Sequence, residues 1–189
     1  LAVLTFLLGF WDRSRNGHTL SASVCLAFSI VLKTYPAVLL PMLFLSGKSR
    51  EAVLTILILV IISAASWLTL PESVWSDWIF KVAPSGSYTR TPEGLFPPST
   101  IGNQSINGFF SRLFTDGEWA TPIIVRPEIG AQLATISSGL LVLSTILVTF
   151  LTRRDANSLD KTMIVTLPCI FLVAPFSWFH HLLYVLPTL

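Results

Sequence analysis

Apolar runs separated by short basic loops set the plan of this chain. Leu1–Phe10 is apolar and reads as the tail of a membrane helix, followed by the polar loop Trp11–His18. Leu20–Leu45 is apolar but broken by Lys33-Thr34-Tyr35-Pro36, and Gly47–Arg50 is a second basic loop. Ala52–Leu70 and Ala131–Leu151 are uninterrupted, each close to the roughly 20 residues needed to span a bilayer as a helix. Between them lies a long mixed stretch, Pro71–Gly130, rich in Pro, Gly and Trp. Thr152–Lys161 is a third basic loop, and the apolar Thr162–Phe176 and Leu182–Leu189 flank a pair of histidines. These patterns predict an all-α polytopic membrane protein, one membrane domain over 1–189 with a loop at about 71–130.

Composition agrees with that plan. The 189 residues are 52% hydrophobic and 12% charged, with a mean hydropathy of +0.71. The chain lacks an initiator Met, starts inside one apolar run and stops inside another, so a fragment of a larger protein is expected. Cys25 and Cys169 lie in apolar runs and read as buried small hydrophobes rather than a disulfide or metal pair.

Charge sets the expected sidedness. Seven of the twelve basic residues fall in the three short loops, four in the long loop, and Lys33 in an apolar run. Short basic loops belong on the cytoplasmic side, which puts 71–130 and the turn at 175–181 outside. Both flanks of Leu20–Leu45 are then cytoplasmic, so an even number of passes must separate them. A hairpin of two short helices with Lys33 at its tip satisfies this. The alternative, one long tilted span with a snorkelling Lys33, reverses everything downstream.

Three stretches carry candidate chemistry. Around the histidine pair the sequence is Ala174-Pro175-Phe176-Ser177-Trp178-Phe179-His180-His181. Pro175 ends one helix and Ser177 can cap the next, placing the imidazoles beside free backbone N–H groups that favour an anion. On that helix Ser177, His180, His181 and Tyr184 share one side. An interfacial aromatic belt is the plainer reading. The second stretch, Asn103 to Phe114, read as one helix puts Gln104, Gly108 and Arg112 on one face, with Ile106, Phe109, Phe110 and Leu113 opposite. Amides suit sugar hydroxyls and a guanidinium fork suits phosphate. A capped surface helix would look the same. The third is the Lys33 break itself. In the long loop, Trp75, Trp78, Ile79 and Val82 stripe a helix whose other face carries Asp77 and Lys81, which suits the membrane interface.

In this order and spacing, the Lys33-Thr34-Tyr35-Pro36, Asn103-Gln104-Ser105-Ile106-Asn107-Gly108 with Arg112, and Ala174–His181 stretches resemble glycosyltransferase family 87. That resemblance implies a GT-C-like transmembrane helix bundle with short interfacial helices in its external loop. It implies a mannosyltransferase-like, inverting enzyme of the plasma membrane that moves a sugar from a polyprenyl-phosphate donor to a glycolipid or glycan acceptor outside. Membrane lipids are then partners; no cofactor, metal or nucleic acid is expected. His180 and His181 would be catalytic, and Lys33, Asn103, Gln104, Arg112, Ser177 and Tyr184 would bind the donor phosphate or sugar. The resemblance also implies a catalytic Asp in an external loop upstream of this chain, which alone would be inactive. Rival readings are a transporter with broken helices and a non-catalytic lipid-binding membrane protein.

Overall fold

The computed structural model describes residues 2–82, 96–118 and 120–178. Helices α1 (Ala2–Arg15), α2 (Thr19–Leu32), α3 (Leu39–Leu45), α4 (Ser49–Thr69), α5 (Glu72–Asp77), α6 (Ile106–Phe114), α7 (Pro127–Leu151) and α8 (Ser158–Val173) follow in order. A 3-10 turn, Tyr35–Val38, precedes α3, and a π-helical turn, Trp78–Val82, extends α5. Among the described residues there is no β-strand, only an isolated bridge between Gly117 and Ala120. Several helices start earlier or run longer than the hydrophobic pattern alone marks, because polar first and last turns are solvated without breaking the ladder. The described residues divide into two compact units, 2–69 with 144–170, and 70–143 with 171–178.

In the first unit, α1 packs on α2, and Phe6 stacks on Phe28 with centroids 5.6 Å apart. Leu7, Phe10, Leu26, Leu39, Leu43, Met163 and Leu167 form its dry centre. Two Gly-terminated helix ends set the turns. At Gly17 (φ 76°) the His18 N–H donates to the Arg13 carbonyl, and at Gly47 (φ 80°) the Lys48 N–H donates to the Leu43 carbonyl. A left-handed residue at that position lets the next N–H reach back to the last turn, and Gly adopts it without strain.

These turns bring the three basic loops to one end of the unit. The Ser14 hydroxyl donates to Glu51 Oε1 at 3.3 Å, Lys48 Nζ to the Ser14 carbonyl at 3.3 Å, and Ser158 Oγ to the Ser46 carbonyl at 3.2 Å. Trp11 Nε1 donates to Asp160 Oδ1 at 2.6 Å. The chain therefore leaves this end along α2 and returns to it through α3, which agrees with the hairpin and not with one long tilted span. The turn is made where Lys33 is extended (φ −151°, ψ 129°) and Pro36 enters the 3-10 turn. Proline restricts the residue before it and cannot donate to a helical ladder.

Two helices, α4 and α7, are long and apolar enough to cross a membrane, with mean hydropathies of 2.4 and 2.0. Helix α4 is inside-out relative to a core helix of a soluble protein. Its buried positions are Glu51, Ala52 and Thr55, while Val53, Leu57, Val60 and Ile61 are exposed. Exposed apolar area on that scale needs a partner or lipid. The buried hydroxyl of Thr55 donates to the Glu51 carbonyl, and Ser23 Oγ donates to the same carbonyl, so the polar atoms are turned inward and satisfied.

In the second unit, α5 holds only Trp75 of the expected stripe, and Trp78, Ile79 and Val82 fall in the π-helical turn that follows. Lys81 pairs with Asp77 at 2.7 Å on an exposed face, and the stripe's period relaxes at the π-helical turn. Much of the segment expected to be irregular, Pro84–Ser99, lies outside the described residues; Ser99 itself is buried.

Candidate functional site

The second unit is built around one backbone carbonyl. Pro175 O accepts from Asn103 Nδ2 at 3.1 Å, from Ser105 Oγ at 3.2 Å and from Asn107 Nδ2 at 3.2 Å. Asn103 Oδ1 in turn accepts from the Ser105 N–H at 3.2 Å, the Ser105 hydroxyl at 2.8 Å and the Ser177 N–H at 3.0 Å. The Gln104 N–H donates to the Ser177 carbonyl at 2.6 Å. Asn103, Ser105, Asn107 and Ser177 are all buried. Two of the stretches that the sequence marks for chemistry are thus tied into a single polar knot, in which the one Ser105 hydroxyl proton is shared between Pro175 O and Asn103 Oδ1.

Local sequence dictates how the knot forms. Ser105 is extended (φ −75°, ψ 165°) and its hydroxyl accepts from the Gly108 N–H, so it caps α6. Gln104 therefore precedes the helix, and the helical spacing that joins it to Gly108 and Arg112 holds only for the latter two. Its side-chain amide donates to the Ile101 carbonyl at 2.7 Å. Gly108 has no room for a side chain: a Cβ there would lie 2.5 Å from the Asn103 carbonyl oxygen and 2.7 Å from Asn103 Cγ. Gly102 meets the Trp178 ring in the same way, at 2.6 Å. Small residues at these two points let three backbone segments close on one another.

Arg112 lies one turn beyond Gly108. Its Nη1 donates to the Thr100 carbonyl at 3.1 Å and to the Asn103 carbonyl at 2.7 Å. Partial burial pushes its pKa down from the usual arginine value, because desolvation disfavours the charged form. These bonds occupy one nitrogen; the edge formed by Nε and Nη2, which presents the two-pronged fork to a phosphate, is not engaged by them. Ser177 donates its hydroxyl proton to the Phe171 carbonyl, so that oxygen closes the end of α8. Helix α8 runs through Pro168 and stops at Val173, two residues before Pro175.

The face of α6 turned into the knot is polar and small: Asn107, Gly108 and Ser111 are buried. Phe109 is 53% exposed. The α6 C-terminus is closed by the Ile123 N–H on the Leu113 carbonyl and the Arg126 N–H on the Phe114 carbonyl, both at 2.9 Å. A short helix with its polar side inward and an aromatic outward suits a lipid headgroup boundary better than water.

Lys33 is exposed at the hairpin tip and belongs to the first unit, whereas Asn103, Gln104, Arg112 and Ser177 belong to the second. His180, His181 and Tyr184 lie outside the described residues. Sequence reasoning missed Ser105 and Asn107. Their signal was an alternation, Asn103, Ser105 and Asn107, with a capping residue in the middle; that reads as an extended entry into a helix rather than a helix from the start.

The family model of glycosyltransferase family 87 matches residues 1–179. The chain belongs to glycosyltransferase family 87. No curated protein and no solved structure matches it. Among the readings open from the sequence, this membership selects the glycosyltransferase over the transporter and the non-catalytic lipid binder, and a membrane-associated family accords with the inside-out pattern of α4.

Proposed function

We propose that this member of the family transfers a hexose, mannose by resemblance, from a polyprenyl-phosphate donor to an acceptor on the external face of the plasma membrane, as an inverting multi-pass enzyme of the GT-C type. The observation that carries the reading is the knot on Pro175 O, which anchors the backbone three to six residues before His180 and His181 to the same segment that presents Arg112. A lipid-phosphate donor leaves its phosphate at the membrane surface, where the developing charge needs preset donors. Arg112 offers its fork, the histidines offer ring N–H groups, and an adjacent phosphate favours their charged form. Lys33, Gln104 and Tyr184 are further donor-binding candidates. Asn103 and Ser177 act by holding the backbone.

The test is transfer of radiolabelled mannose from polyprenyl-phosphate mannose by membranes holding the complete protein. His180→Ala and His181→Ala are made separately at matched abundance, with His181 expected to matter more. Loss of one charge-assisted bond, about 1.5–3 kcal/mol, lowers the rate by roughly ten- to a hundredfold. Arg112→Lys, which cannot form the fork, is expected to weaken transfer in the same direction. If both histidine variants stay within about twofold of the parent, the pair is only an interfacial belt and the reading fails.

A further inference from the structure

The end of the first unit where the basic loops meet holds cations that its own carboxylates do not take up. Arg15 pairs with Asp160 at 3.4 Å, Lys48 with Glu51 at 3.7 Å, and Lys161 with Asp155. The remaining nearby acid, Asp12, accepts from Asn16 Nδ2 at 3.1 Å. Among the described residues Arg13 has no carboxylate partner. It lines an open cavity of about 710 Å³ together with His18, Leu20, Ser21, Val24 and Cys25.

The shape of that cavity follows from the turn between α1 and α2. The His18 N–H donates to the Arg13 carbonyl at 2.8 Å, which sets both residues on the same turn at the polar end. From there Leu20, Ser21, Val24 and Cys25 run down one side of α2 at i, i+1, i+4 and i+5, about 8 Å of largely apolar track. Helix α1 walls the far end closely: a Cβ on Gly9 would lie 3.3 Å from Cys25 Sγ. Leu20 is 65% exposed beside the cation. The site is therefore cationic at its mouth and apolar along its length.

We propose that this groove seats one anionic glycerophospholipid, its phosphate against Arg13 and His18 and the start of an acyl chain along Leu20, Val24 and Cys25. A free anion would find Arg13 but gain nothing from the apolar track. A zwitterionic lipid would bring its own cation beside Arg13. Basic pockets between membrane helices favour anionic headgroups for this reason. The site is separate from the proposed transfer chemistry and does not rest on it.

The test is native mass spectrometry of the detergent-purified protein titrated with phosphatidylglycerol, phosphatidylcholine or glycerol 3-phosphate. One phosphatidylglycerol is retained in preference to phosphatidylcholine, and glycerol 3-phosphate does not displace it. Arg13→Gln lowers retention about fivefold and Arg13→Lys largely restores it. Val24→Trp fills the track without changing charge and also lowers retention, whereas Arg154→Gln does not. Melting of each variant close to the parent value excludes misfolding as the cause. Equal loss in Arg154→Gln would mean diffuse charge, displacement by glycerol 3-phosphate would mean a free-anion site, and full retention in Val24→Trp would mean no groove; any of the three overturns the proposal.

Discussion

Asn103→Ala removes the centre of the knot and leaves a defined set of orphans. The Ser105 and Ser177 N–H groups lose their acceptor, and the Pro98 carbonyl loses a donor that reaches it at 3.1 Å. Pro175 O still keeps Ser105 and Asn107. Each buried group left unpaired costs about 1–3 kcal/mol, so three cost about 3 kcal/mol even at the low end. At 1.4 kcal/mol per decade, opening of this region becomes roughly a hundredfold more frequent. Hydrogen exchange read by mass spectrometry on peptides covering Ser105 and Ser177 measures that opening directly. Asn107→Ala is the control, because it removes one donor of three to the same carbonyl and also deletes Asn107 Oδ1, a buried acceptor with no partner among the described residues. Its cost is expected below about 1 kcal/mol, or under about fivefold in exchange. Exchange within about threefold of the parent for Asn103→Ala, or an equal acceleration by Asn107→Ala, would refute the assignment of Asn103 as the centre of the knot.

Two further outcomes follow from the same geometry. Gly108→Ala drives a methyl to 2.5 Å from the Asn103 carbonyl oxygen, so the knot must shift and the variant should lose about 1–3 kcal/mol in thermal unfolding; a parent-like melting temperature would contradict the close approach. In a background with Cys25 and Cys169 replaced, a cysteine at the exposed Glu118 should react only with reagent added outside the cell, and one at the exposed Arg50 only after the membrane is opened; the reverse pattern removes the sidedness on which external transfer depends.

The hydrophobic pattern of this chain was enough for the long helices. Runs such as Ala52–Leu70 and Ala131–Leu151 can satisfy their backbone in lipid only as helices, so composition alone determines the element. The hairpin at Lys33 was one of two readings that the basic loops allowed, and the extended Lys33 and the 3-10 turn after it decided for it over the single tilted span. The ordered stretches around Lys33, Gln104 and His180 carried the family. What the three-dimensional structure decided was the work of the polar residues inside those stretches. Asn103, Gln104 and Arg112 looked like ligand-binding groups because each has free donors in sequence. In the structure Asn103 is fully used on Pro98, Ser105, Pro175 and Ser177, and one nitrogen of Arg112 is used on Thr100 and Asn103. Hydrogen bonds across more than sixty residues of chain leave no periodic trace, because they depend on where two loops close and not on the spacing within either. The same is true of Ser105 and Asn107, whose shared target is a backbone carbonyl that belongs to no side-chain motif.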